Sequence, residues 1–192
     1  LDLESYAEWF YGRKKPFDDA ARYQLLIPLY ETLVEIDKVT IGEVHPSYAN
    51  HLNDLANLLN NMGRYEEAVP LYRQALEIDK ATIGEQHQSH AIRLSNLALL
   101  LEILGRYVEA EPLYRQALEI DKATIGEQHP SHTWHLYNLA FLLLKMRRYD
   151  EAEPLYRQLF EISEASLGSE HPDTIRARKV HQALLVFQSS QY

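Results

Sequence analysis

The chain has 192 residues, 46% hydrophobic and 24% charged, with a formal net charge of −9 and no cysteine. That length buries one substantial core and makes a second domain unnecessary. The negative charge argues against a duplex nucleic-acid binder or an anionic membrane surface as partner. The lack of cysteine removes disulfides, thiolate nucleophiles and Cys-ligated zinc and fits a cytoplasmic setting. No run of about 18 apolar residues is present to cross a bilayer.

One unit is written repeatedly along the chain. The segment RYQLLIPLYETLVEIDKVTIGEVH, Arg22 to His45, is a degenerate copy of GRYEEAVPLYRQALEIDKATIGEQH, which starts at Gly63. Closer copies start at Gly105 and Arg147, so the offset is 42 residues throughout, and a last His171-Pro172 pair continues it. A period of this length signals stacked supersecondary units that share a core. The expected division is a single array over 1–192. It comprises a partial repeat over 1–44, full repeats over 45–86, 87–128 and 129–170, and a capping helix with tail over 171–192.

Each unit reads as two helices. Leu52, Leu55, Ala56 and Leu59 follow the i, i+3, i+4, i+7 spacing of one helical face. Pro46 suits the first turn, where its missing N–H costs nothing, and Gly63 supplies the left-handed residue that ends the helix. A second helix carries Ala68, Leu71, Tyr72, Ala75 and Leu76 on one face, until Thr82-Ile83-Gly84 stops it. Helical pairs are predicted near 46–62/65–81, 88–104/107–123 and 130–146/149–165. Pro28, Pro70, Pro112 and Pro154 fall inside second helices, each removing one backbone donor. Arg147 replaces glycine at the turn, so that turn is either strained or built differently.

The unit resembles a tetratricopeptide repeat, aligned through Leu55, Ala56, Gly63, Tyr65, Ala68, Tyr72 and Ala75. The 42-residue form, with HP opening the first helix, EEAxPLYRQALEI in the second and a closing IG, is similar to the kinesin light chain type. The resemblance implies an all-α, right-handed solenoid of antiparallel helix pairs with first helices on the concave face. HPDTIRARKVHQALL resembles a solvating last helix, and SYAEWFY is expected to be a shortened first helix.

On the first helices a stripe rotated away from the leucine face carries the candidate site. In the first full unit it holds Asn50, Asn53, Asn57, Asn60 and Asn61. An amide can donate and accept, as a peptide backbone requires, and an idle surface would more usually carry ion pairs. The resemblance points the same way, because tetratricopeptide grooves often clamp ligand backbone with Asn on first helices. The stripe continues as Ile92, Ser95, Leu99, Glu102 and Ile103, then as Trp134, Tyr137, Phe141, Leu144 and Lys145. It thus grades from amide to aliphatic to aromatic. The aromatic end is either an anchor for a partner side chain or core covered by the last helix and its tail FQSSQY.

His45, His87, His129 and His171 recur at the repeat offset and are expected to help the turn into each first helix. His129, His132 and His135 have i, i+3 spacing, but HExxH is absent and no metal or cofactor is expected. No nucleophile elbow, P-loop or dinucleotide fingerprint occurs, so the chain is expected not to be an enzyme. The expected function is a scaffold that binds a protein or peptide ligand in its groove. The alternative is a self-association module that uses the apolar strip to form homo-oligomers.

Overall fold

In the computed structural model, residues 16–190 are described, and they form eight α-helices with no strand among them. These are α1 (Pro16–Thr40), α2 (Pro46–Asn61), α3 (Tyr65–Thr82), α4 (Gln88–Ile103), α5 (Tyr107–Thr124), α6 (Pro130–Lys145), α7 (Tyr149–Leu167) and α8 (Pro172–Ser189). Helix packing runs between chain neighbours, with the first helices α2, α4 and α6 also touching in sequence. The predicted pairs agree with α2/α3, α4/α5 and α6/α7 to within two residues at every end. The expectation for SYAEWFY lies outside the described residues.

The recurring histidines are the first-helix caps. The Nδ1 atoms of His45, His87 and His129 each accept from the backbone N–H two residues on, at 3.1 Å, and His171 does the same at 3.2 Å. Each cap residue is extended, so its imidazole stands where Ser or Asp usually satisfies an orphan donor. First helices end in a Schellman turn. Gly63 has φ 75°, its N–H reaches the Asn60 carbonyl, and the Arg64 N–H reaches that of Leu59 at 2.9 Å. Arg147 adopts the same turn at φ 58° with matching bonds to Leu144 and Leu143. The turn is therefore not rebuilt; it carries a non-glycine residue in the left-handed region, the strained alternative.

Second helices start without a side-chain cap. Glutamates in the first turn offset the macrodipole there, and Arg64 forks onto Glu67 through two bonds of 2.7 Å. Between each pair, small residues set the approach: Ala56, Ala68, Ala75, Ala98, Ala110 and Ala117 are wholly buried. Tyr72, Tyr114 and Tyr156 are buried in the core. Arg73 and Arg115 are about half exposed on their second helices, and Arg115 pairs with Glu111 of its own helix. Each also reaches the following unit, Arg73 to Glu109 and Arg115 to Glu151, both at 3.1 Å. These exposed pairs contribute little individually.

Candidate functional site

The first-helix face is held together by side-chain bonds that join residue i to residue i+43. Asn96 Nδ2 donates to Asn53 Oδ1 at 3.2 Å and Lys145 Nζ donates to Glu102 Oε1 at 2.8 Å. Arg93 Nη2 donates to Asn50 Oδ1. Since the sequence recurs every 42 residues, each groove position meets the next position along in the following unit. The Asn57 oxygen is used within its own unit, accepting from the Tyr72 hydroxyl at 2.5 Å.

The amide stripe is thus partly knitted into the array, contrary to a purely solvent-facing ladder. Asn50, Asn53 and Asn57 each commit the carbonyl oxygen. Their Nδ2 groups donate to nothing within the described residues. Asn60 has a buried amide oxygen, and Asn61 at the helix end is exposed. In the second unit Ile92 and Ile103 are exposed and Leu99 is half-buried, but Ser95 and Glu102 are buried. Ser95 therefore sits beneath the groove rather than in it.

The aromatic end stays partly open. Trp134, Tyr137, Phe141 and Leu144 are half-buried and Lys145 is exposed. Tyr137 and Phe141 lie parallel, 7° between planes and 6.0 Å between centroids, and Lys145 Nζ stands 4.8 Å from the Phe141 ring centre. The last helix does not fold back over this strip. It packs on α7, where Phe187 meets the Tyr149 ring edge-on at 4.7 Å and Gln188 reaches Asp150.

Beneath the groove lies a feature that motif reading missed. An aspartate near the end of α1, α3 and α5 meets a basic side chain 14 residues later on the next first helix. Asp37 lies 2.6 Å from His51, Asp79 takes Arg93 Nη1 at 2.6 Å, and Asp121 lies 2.8 Å from His135. Asp79 and Asp121 are fully buried. Burial pushes His135 down to about 4, and neighbouring His132 acts in the same direction. Burial also lowers His132, against the pull of Asp121, and raises Asp121, against the pull of His132 and His129. The signal was present as Asp37, Asp79 and Asp121 recurring with the repeat. Among the described residues no group of three or more His, Cys, Asp or Glu is arranged to hold a metal.

These helices define a solenoid of stacked antiparallel hairpins presenting a continuous first-helix face. The tetratricopeptide repeat profile matches residues 19–81, 47–123, 88–165 and 131–180, and the chain belongs to that family. Its repeats are of the kinesin light chain-like type. A crystallised Podosopora anserina protein of nearly identical, kinesin light chain-like TPR repeats is 28% identical, with a TM-score of 0.75 over 86% of this chain and 84% of that one. A single-residue variant of that protein gives 27%, 0.76, 88% and 86%. BtubC (BKLC) from P. vanneervenii, at 19% identity and a TM-score of 0.66 over 90% of this chain and 84% of that one, shares the fold. The sequence has no significant match among proteins of curated function. Tetratricopeptide arrays generally mediate protein–protein interaction. No described helix is long and apolar enough to cross a membrane.

Proposed function

We propose that the first-helix face is a non-enzymatic docking groove for an extended peptide segment of a protein partner. The reading is carried by the row of Nδ2 donors on Asn50, Asn53 and Asn57, whose oxygens are already engaged. Donors spaced along one helix suit the carbonyls of an extended backbone and are indifferent to its sequence. The half-buried strip of Tyr137, Phe141 and Leu144 supplies side-chain discrimination at the other end. A net charge of −9 favours neutral or mildly basic segments, with affinity for basic ones falling as salt rises.

The test takes extended peptides selected against the parent chain and measures their affinity for the double variant Asn53→Asp, Asn57→Asp. Aspartate keeps an oxygen for Asn96 and for Tyr72 but removes the donors. The added negative charge attracts basic peptides, so any weakening comes from the lost donors. Weaker binding at unchanged helicity is expected. Unchanged or tighter binding places the site elsewhere. A sizing measurement separates this reading from self-association through the same strip, because peptide docking predicts a monomer.

A further inference from the structure

Among the described residues the second helices α3, α5 and α7 do not pack on one another, whereas the first helices α2, α4 and α6 do. A furrow is therefore left between α5 and α7 on the second-helix side, and α6 floors it. A cavity of about 210 Å³ opens there. It is lined by Leu118 of α5, by His132, Leu136 and Leu139 of α6, and by Leu155 and Gln158 of α7.

The first joint of the array carries a tyrosine at the matching place. Two repeat offsets before His132 stands Tyr48, and two before Gln158 stands Gln74. Leu52, Leu55 and Leu71 likewise match Leu136, Leu139 and Leu155. Tyr48 is buried, and its hydroxyl accepts from Gln74 Nε2 at 3.4 Å. At the later joint an imidazole replaces the longer phenol. His132 is buried, yet neither ring nitrogen is hydrogen-bonded, and the Gln158 amide bonds to nothing among the described residues. Polar groups left this way are costly, which makes them ready to take a partner. Burial lowers the pKa of His132, so its ring is neutral and offers one N–H and one lone pair.

We propose that this cavity is a second binding site, on the second-helix side, for one phenol ring: the side chain of a tyrosine presented by a partner protein. Size selects a ring, since an apolar cavity of about 150 Å³ is enough to hold benzene. The leucines supply the apolar walls. A hydroxyl both donates and accepts, which is what His132 and Gln158 together call for. Neutrality follows from the mouth of the cavity. Arg115 there is paired with Glu111 and Glu151, and Lys122 with Glu127 at 2.7 Å, so neither cation is free to hold a phenolate or a phosphate. This site does not depend on the groove reading.

The probe is p-cresol, the tyrosine side chain as a free molecule, titrated into the full chain. Methyl shifts of Leu136 and Leu139 report this joint and not its counterpart around His90. Saturable shifts are expected, and toluene, which lacks the hydroxyl, should bind at least about fivefold more weakly. The variant His132→Tyr restores the first-joint arrangement, fills the site with the chain's own phenol and should abolish p-cresol binding there. Should it fail to fold, Leu155→Phe closes the cavity from the α7 side and should give the same loss at parental helicity. Absence of saturable shifts, equal affinity for toluene, or binding that survives the filled variant overturns the site. A groove-selected peptide should bind the filled variant as it binds the parent; a parallel loss of that peptide overturns the assignment to a second site. For the carrier, N-acetyl-tyrosinamide should displace p-cresol and its phenylalanine counterpart should not. Failure of the tyrosine derivative overturns the assignment to a protein side chain.

Discussion

The substitution His135→Arg tests the buried pairs directly, because it installs at one joint the residue that Arg93 provides at the joint before. In the parent, His135 is held neutral by burial, down at about 4. An unfolded histidine titrates near 6.5, so between these values the unfolded chain takes the proton first and acid favours unfolding. The gap corresponds to about 3 kcal/mol, present above pH 6.5 and lost as pH falls to about 4. His132, also lowered by burial, adds to the loss. Asp121 opposes it: burial raises this carboxyl, so the folded chain accepts that proton first and part of the loss is returned at the acid end. Nearby Glu127 favours the charged form of His132 and Lys122 disfavours it. Arginine stays charged throughout and removes the His135 contribution. At the earlier joint the Asn50 oxygen takes the second guanidinium nitrogen. The position matching Asn50 is Ile92, 43% exposed, so in the variant that nitrogen turns to water. Stability near neutral pH is therefore expected within about 1 kcal/mol of the parent, since a buried ion pair rarely gains much net free energy. Urea unfolding followed by helicity between about pH 4 and 7 gives the answer. The parent should weaken steeply toward acid and the variant much less; parallel profiles would refute the argument.

Three further outcomes are expected. Arg147→Gly should stabilise the chain by about 0.5–1 kcal/mol, because the arginine occupies φ 58° where its counterparts are glycine; a lowered thermal midpoint would contradict this. His129→Ala should cost about 1 kcal/mol through loss of the α6 cap, while His129→Asn, which can still accept from the Ser131 N–H, should cost little. Tyr137→Ala should weaken peptide binding more than it lowers the melting temperature; a sharp fall in melting temperature would instead assign the Tyr137–Phe141 stack to the core.

The fold was largely legible because the repeat offset constrains every helix end several times over. Gly63 and Gly105, the His-Pro openings and the apolar spacing all place the same boundaries. Arg147 was recognisable as an exception for the same reason. The groove was less legible. Periodicity shows that Asn53 and Asn96 lie on equivalent faces, but their contact at 43 residues depends on how one unit is shifted against the next. That shift is set by packing between helices and leaves no trace in either helix alone. It is why the carbonyl oxygens of Asn50 and Asn53 are engaged. The aspartate series escaped notice because a lone acidic residue near a helix end reads as ordinary surface. Only the burial of Asp79 and Asp121 shows that each sits on a joint.

Because every described helix touches only its neighbours in the chain and, on the first-helix face of α2, α4 and α6, the one beyond, the array has no closing contact between its ends among the described residues. Mechanically it is a row of springs in series. A pull on the two termini loads each joint with the same force, and the most compliant joint takes most of the extension. The joints differ in what stiffens them: Asp79 with Arg93 at one, Asp121 with His135 at the next, and Glu153 with His181 and Asp150 with Gln188 at the last. Stretch should therefore concentrate between α3 and α4 and between α5 and α6, where successive units pack least extensively, while α7 and α8 keep their spacing.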